Sequence, residues 1–191
     1  MHQINKISAV GNSTYVDFSN IPIQAFDHDL KTIIENKFSE TEILNLQNCS
    51  LITLDNFPRL LNLRSLDLSS NPLNPDDLKI ICECPNLENL SIKDWPKISI
   101  EDLKILKKLP NLIKLDFKRG ENDLLEGEKN AIREIIPNLM VLNNKYKEIK
   151  LSDSTSDSDQ LEDEITDDSN LKTRKWDDEV EFEDRYMRKQ Y

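Results

Sequence analysis

Leucines recur along the middle of the chain in a pattern that predicts short strands at regular intervals. The clearest stretch runs from Leu63 to Leu73, where the sequence LRSLDLSSNPL fits the pattern L-x-x-L-x-L-x-x-N-x-L at every fixed position. Leu66 and Leu68 alternate with polar residues, which predicts a strand whose leucines turn inward. Asn71 follows this strand, where its side-chain amide can hydrogen-bond backbone groups that have no sheet partner.

Copies of the pattern lie on both sides of this stretch, and one of them, at residues 44–51, has Cys49 at the asparagine position. The inward strand leucines follow one another at steps of 22, 24, 25 and 27 residues: Leu44, Leu66, Leu90, Leu115 and Leu142. An imperfect copy at residues 16–21 precedes them. Such intervals are typical of leucine-rich repeats, whose units must stack to cover their apolar faces. We therefore expect an α/β leucine-rich repeat solenoid, a right-handed β-α superhelix with a parallel concave sheet and short convex helices.

The segments between the strands predict helices on the convex side and caps at both ends. Residues 1–30 are expected to form an N-terminal cap, and closure of the other end is expected from the last helix with Leu139, Leu142 and Tyr146. Four segments predict helices by apolar spacing, N-cap residues or a proline at the first helical position: Leu30–Phe38, Asn74 to about Cys82, Ser99–Leu109 and residues 126–136.

The outward strand positions form a polar strip of mixed charge on the predicted concave face. Each residue by itself is compatible with a solvated sheet face, whereas the strip as a whole is typical of a protein-binding surface. The outward positions are Asn45, Gln47, Ser65, Asp67, Ser69, Asn89, Ser91, Lys93, Lys114, Asp116, Lys118 and Asn143. The partner-binding residues are expected to be Asn45, Gln47, Asp67, Ser69, Ser91, Lys93, Asp116 and Lys118.

The composition changes after residue 150, which divides the chain into a repeat domain of residues 1–150 and an acidic tail of residues 151–191. Residues 152–191 hold 14 acidic and 6 basic residues, so they carry −8 of the whole chain's net charge of −11. Because few apolar residues are present there, we expect the tail to be disordered. Its charge favours a cationic partner over nucleic acid or an anionic membrane.

Two features of the tail are candidate interaction sites. Ser154 and Ser156 each precede an aspartate by three residues, which suits phosphorylation by an acidophilic kinase and equally suits an unmodified acidic run. Aromatic residues alternate with carboxylates near the end of the tail, and they are either anchors for a basic partner or side chains that pack back on the repeat domain. The candidate tail contacts are Trp176, Asp177, Asp178, Glu179 and Phe182.

Nothing in the residue pattern supports catalysis, a cofactor or a metal site. Three scattered glycines cannot build a phosphate-binding loop, and no catalytic motif with histidine or serine at the required spacing is present. Cys82 and Cys84 have no second cysteine pair and no nearby histidine to complete a zinc site. The three cysteines suit a reducing compartment, and no apolar run approaches the length needed to span a membrane.

Three junctions carry a resemblance to a known family: ECPNLENL at 83–90, LKKLPNLIKLD at 106–116 and AIREIIPNL at 131–139. With the acidic tail that follows, residues 40–150 resemble the acidic leucine-rich nuclear phosphoprotein 32 family. The resemblance implies a monomeric, non-enzymatic nuclear regulator that shuttles to the cytoplasm and binds histones or other basic proteins. In some members the implied activity is inhibition of protein phosphatase 2A or bridging of RNA-export factors.

The tail departs from that family's long acidic run because it is short and is interrupted by Lys172, Arg174 and Lys175. In size and capping, the chain is also similar to the spliceosomal leucine-rich A-prime proteins. That second resemblance implies a scaffold subunit of a ribonucleoprotein, which holds an RNA-binding protein on its concave face and does not itself need to contact RNA.

Overall fold

A computed structural model describes residues 14–119 and 122–147, and its strands form one sheet in chain order. Neighbouring strands are parallel from β1 to β6, and β7 returns antiparallel to β6. The strands are β1 (Tyr15–Asp17), β2 (Ile43–Asn45), β3 (Ser65–Asp67), β4 (Asn89–Ser91), β5 (Lys114–Asp116), β6 (Val141–Leu142) and β7 (Lys145–Tyr146).

The spacing of the leucines correctly predicted which residues stack. Each inward residue pairs in register with that of the next strand: Val16, Leu44, Leu66, Leu90, Leu115 and Leu142. All six are at most 2% exposed, so one continuous apolar column runs through the described part of the chain. The structure therefore confirms a mixed α/β fold with a parallel sheet, and β1 shows that the imperfect copy at residue 16 is a strand.

The predicted helices are present, with shorter and tighter geometry in two of them. Helix α1 (His28–Lys37) begins after Asp27, whose carboxylate accepts a hydrogen bond from the Leu30 N–H at 2.7 Å. A 3₁₀ turn (Pro75–Asp77) leads into α2 (Leu78–Ile81), and the next connection is a 3₁₀ helix (Glu101–Lys108). The buried leucines and isoleucines of these short helices belong to the same apolar cluster as the strand leucines.

Helix α3 (Glu126–Ile135) and the β6–β7 hairpin follow the last parallel strand. Ile132 and Ile135 are buried, as their spacing predicted. Leu139 and Leu142 are buried at this end as expected, whereas the Tyr146 side chain is 67% exposed. Tyr146 contributes through its backbone, which pairs with Val141 in the antiparallel β7. Strand pairing, more than side-chain packing, covers the edge of the sheet here.

Side chains at the asparagine position of the repeat form hydrogen bonds between successive coils. By a coil we mean one strand together with the connection that follows it. The Asn71 side-chain amide donates to the Leu46 carbonyl at 2.8 Å, and the Cys49 thiol donates to the Phe18 carbonyl at 3.1 Å. Trp95 holds the same position one coil later, and its indole N–H donates to the Leu68 carbonyl at 3.0 Å. Three chemically different side chains thus satisfy equivalent carbonyls, a role that the sequence pattern indicated only for asparagine.

Candidate protein-binding face of the sheet

The strand residues that alternate with the buried leucines form what we call the outer sheet face. One row across this face consists of residues in direct register: Asp17, Asn45, Asp67, Ser91 and Asp116. Gln47, Lys93 and Lys118 lie two residues after their row members and extend the face at the ends of β2, β4 and β5. Of the eight residues predicted for partner binding, the structure thus places four in neighbouring strands and four two residues after them. The second group is Gln47, Ser69, Lys93 and Lys118.

The first three members of the row are held by the same local hydrogen bond. A side-chain oxygen of Asp17 accepts from the Ser19 N–H at 2.8 Å, and Asp67 does the same for Ser69. Asn45 accepts from the Gln47 N–H at 3.0 Å. Because each bond fixes a short side chain against its own turn, these polar groups are preorganised and lose little rotamer entropy when a partner binds.

Ser69 and Ser91 differ from the prediction because they are buried, with exposed fractions of 1% and 8%. Their hydroxyl oxygens lie 2.7 Å apart and share a hydrogen bond. The Ser69 hydroxyl also accepts from the Lys93 N–H at 3.3 Å. These two serines therefore tie β3 to β4 and do not present a surface to a partner, which corrects their assignment as contact residues.

Asn143 also does not occupy the place expected for it. It lies in the turn between β6 and β7 with a φ of 50°, and its side chain bonds the backbone of Phe117 twice. The Phe117 N–H donates to the Asn143 side-chain oxygen at 2.8 Å, and the Asn143 amide donates to the Phe117 carbonyl at 2.8 Å. Asn143 thus replaces a strand partner at the sheet end, where it satisfies the backbone.

Charge divides the outer sheet face into two ends. Asp17 and Asp67 lie toward the β1 end, whereas Lys93, Lys114 and Lys118 lie on or just after β4 and β5. The Lys114 ammonium is 3.9 Å from the Asp116 carboxylate, which is a weak surface pair. A partner that fits this face should therefore be basic over the first strands and acidic over the last.

Tyr15 is a residue of this face that the sequence analysis did not select. Its hydroxyl donates to an Asp17 carboxylate oxygen at 3.4 Å, and its ring is 44% exposed. Partial burial, followed by the Asp17 charge, raises the pKa of the Tyr15 hydroxyl, which therefore stays a donor near neutral pH. An exposed aromatic beside a carboxylate is a common interface residue. The sequence analysis missed Tyr15 because it lies at the start of the first repeat, which matches the pattern imperfectly.

The described residues contain little that resembles an active site. In residues 14–119 and 122–147, no group of three or more His, Cys, Asp and Glu side chains is placed to hold a metal ion. Burial raises the pKa of both Cys49 and Cys84 to about 11, which keeps these thiols protonated. Within the same ranges, none of the helices has the length and apolar character to cross a membrane.

A shallow groove of about 470 Å³ lies beside the lysine end of the face. Its lining residues are Asp94, Trp95, Pro96, Lys97, Ile98 and Arg119. Arg119 is paired with the Glu128 carboxylate, and the Trp95 ring is buried, so the groove presents few unpaired groups. The tail residues predicted for contact (Trp176, Asp177, Asp178, Glu179 and Phe182) and for phosphorylation (Ser154 and Ser156) lie outside the described residues.

Comparison with known proteins supports the fold. No family model matches the sequence. A chain in the crystal structure of the Drosophila melanogaster SNF/U2A′ complex is similar, with a TM-score of 0.59 and 18% identity over 78% of this chain and 84% of that one. At that identity the likeness shows the fold alone, a leucine-rich-repeat-like arrangement.

Histone H2A.Y of Tetrahymena thermophila is 27% identical over 127 residues, which are 66% of this chain and 32% of the histone. This chain thus spans about a third of the length of that relative.

Proposed function

We propose that this protein is a non-enzymatic interaction scaffold, a leucine-rich repeat solenoid whose concave side is the outer sheet face. The observation that carries the proposal is the register of the strands, which aligns one polar side chain from each of five neighbouring strands. Three of these side chains are fixed by hydrogen bonds to their own turns. Such a surface is rigid, wide and chemically varied, and it can bind a protein without a pocket.

The partner that we favour is a subunit of a ribonucleoprotein. The similar fold belongs to a chain in a complex of SNF with U2A′, which supports a role for this chain as an equivalent scaffold subunit. The two-ended charge of the outer sheet face suits a partner with both signs of charge. In this role the scaffold contacts the partner protein and does not need to bind RNA.

Charge reversal at the lysine end tests the proposal. The variant Lys93→Glu/Lys118→Glu should no longer bind the SNF-like protein of the source organism. Isothermal titration calorimetry with purified proteins measures this binding. A matched control is Lys107→Glu/Lys108→Glu, which makes the same charge change on exposed residues of the 3₁₀ helix. The proposal fails if both variants bind equally well, or if the unaltered protein does not bind.

A second candidate function is binding of histones or other basic proteins in the nucleus by the acidic tail. The tail's excess of 14 acidic over 6 basic residues supports it. The relative named as a histone supports it as well, because a region similar to this chain occurs there within a histone polypeptide. Phosphorylation at Ser154 and Ser156 would add about −1.5 to −2 charges at each site and strengthen such binding. Regulation of a phosphatase is a further role that is compatible with this second candidate function.

Neutralisation of the tail separates the two candidates. In the full chain, Asp177→Asn/Asp178→Asn/Glu179→Gln should weaken binding to a purified histone dimer and make it less sensitive to salt. The same variant should bind the SNF-like partner unchanged. Histone binding that survives both the tail variant and 0.5 M salt, a concentration at which exposed charges are screened within about 4 Å, would refute the tail mechanism.

A further inference from the structure

An exposed apolar cluster lies at the last parallel strands, outside the residues used in the proposed function. Ile113, Met140 and Tyr146 have exposed fractions of 44%, 46% and 67%, and Val141 is half-buried. The Met140 N–H donates to the Ile113 carbonyl at 2.8 Å, and Val141 pairs with Tyr146 in β7. The backbones of these four residues, which we call the C-terminal apolar patch, therefore lie next to one another.

Earlier in the chain, the positions equivalent to Ile113 and Met140 carry charged residues instead of apolar ones. Glu42, Arg64 and Glu88 occupy the positions equivalent to Ile113 and Met140, each two residues before the inward leucine. The Arg64 guanidinium pairs with both carboxylates, at 3.9 Å and 2.5 Å. At these equivalent positions, the side chains thus change from charged groups that form ion pairs with one another to apolar groups that remain exposed. Contiguous exposed apolar residues on a folded protein mark an interaction site more often than scattered ones do.

Lysines surround the patch. Lys145 and Lys147 are exposed on β7 and directly after it, and Lys114 is the register partner of Val141. The nearby carboxylates are already paired: Glu126 with Lys129 and Arg133, and Asp116 with Lys114. Neither hairpin lysine has an ion pair among the described residues, although, after the Lys129 hydrogen bond, the Lys145 charge is one of those that lower the pKa of the Glu126 carboxyl. Both lysines are exposed and can contact an acidic partner. A second copy of this chain is disfavoured as the occupant, because a two-fold contact would bring these lysines together.

We propose that the C-terminal apolar patch docks a peptide segment of a partner protein that carries apolar anchors flanked by Asp or Glu. The anchors would cover Met140 and Tyr146, while the flanking carboxylates pair with Lys145 and Lys147. Centrally buried apolar anchors provide most of the binding energy in such contacts, and the charged rim sets specificity and orientation. The patch adjoins the outer sheet face at Lys114 and Val141, but its proposed contact residues Met140, Tyr146, Lys145 and Lys147 are different from Lys93 and Lys118, so separate variants test the two sites.

Selection from a random peptide library tests the site with the full chain. Twelve-residue peptides displayed on phage should be enriched for Trp, Phe, Leu or Met next to Asp or Glu. Fluorescence anisotropy of the enriched peptides should show about tenfold weaker binding to Met140→Ser/Tyr146→Ser. The matched control Ile52→Ser/Leu61→Ser removes apolar residues that are 57% and 50% exposed elsewhere, and it should bind within about twofold of the unaltered chain.

A second variant leaves the apolar packing intact. Lys145→Glu/Lys147→Glu should weaken the same peptides and should favour peptides with basic flanks. The proposal is overturned if no motif is enriched, if the enriched peptides are basic, or if they bind the Met140→Ser/Tyr146→Ser variant unchanged. Self-association of the unaltered chain in sedimentation that disappears in this variant would assign the patch to a second copy and would equally overturn it.

Discussion

The side-chain oxygen of Asn71 accepts a hydrogen bond from the backbone N–H of Cys49 at 2.9 Å, across a sequence separation of 22 residues. The same oxygen accepts from the Leu51 N–H at 3.0 Å. The amide nitrogen donates to the carbonyls of Leu46 and Leu68 at 2.8 and 2.9 Å. One buried amide therefore satisfies backbone groups of two coils, where no strand pairing is available.

Replacement of Asn71 should be among the most destabilising single changes in the repeat domain. Asn71→Ala leaves the N–H groups of Cys49 and Leu51 buried without a partner, so we expect a loss of about 3 kcal/mol in the free energy of unfolding. Urea unfolding followed by circular dichroism measures this. The control Asn111→Ala removes one exposed bond to the Pro85 carbonyl and should cost less than about 1 kcal/mol. Equal losses in the two variants would contradict the role assigned to Asn71.

Ser70 should tolerate asparagine and reject a β-branched residue. Its φ is 57°, and Asn20, Asn48 and Asp94 occupy the equivalent place in other coils with φ values of 62°, 54° and 61°. Ser70→Val should cost about 1–2 kcal/mol because of the left-handed backbone, whereas Ser70→Asn should be nearly neutral. Thermal unfolding compares the two. A Ser70→Val variant as stable as Ser70→Asn would show that the turn can change its conformation freely.

The cysteines should differ in reactivity according to burial. Burial raises the pKa of Cys49 and Cys84 to about 11, so only about one thiol in a thousand is ionised at pH 8. Burial also raises the pKa of the Cys82 thiol, but this side chain is partly exposed and the Lys108 charge opposes the increase. Iodoacetamide at pH 8 should therefore label Cys82 first, as read by peptide mass spectrometry. In urea all three should react at similar rates, which controls for sequence effects.

The same two thiols should make the stability of the protein decrease in alkali. Their pKa values are about 11 in the folded chain against an ordinary value near 9.0, so the folded state retains protons that the unfolded state has lost. The contribution of these two thiols to the free energy of unfolding is fully present below about pH 9, and it is lost as the pH rises through 11. Urea midpoints measured from pH 8 to 11 should fall, and the fall should be shallower in Cys49→Ala/Cys84→Ala. A parallel decline in both proteins would assign the effect to other groups.

The ion pairs of Arg64 should matter little for stability. Its side chain is 49% exposed although it bridges Glu42 and Glu88. Arg64→Met keeps the aliphatic stem and should cost about 0.5 kcal/mol, with a smaller effect in 1 M salt because exposed charges are screened. Urea unfolding at two salt concentrations measures this. A loss above about 2 kcal/mol would indicate that the three-residue network is stronger than surface pairs usually are.

The prediction of the candidate site from the sequence was partial for identifiable reasons. Alternation placed Asp67, Lys93 and the other outward residues on one face, because side-chain direction in a strand depends only on parity. Alternation could not show that Ser69 and Ser91 bond each other and are buried, since that depends on the distance between two strands. It also could not show that Trp95 replaces asparagine, because the hydrogen bond from its indole needs the carbonyl of an adjacent coil.

By itself, the sequence determined the parallel strands β1 to β6, their order and their inward residues, because units repeated at a near-constant interval bury their apolar residues by stacking in chain order. It did not predict the antiparallel strand β7. The sequence also showed that residues 152–191 carry −8 of the net charge of −11. The tertiary structure decided which polar residues remain accessible and which are used as internal links. It also placed Ile113, Met140 and Tyr146 together on the surface. Those outcomes depend on contacts between residues that are distant in the chain, and a pattern read along one strand does not contain them.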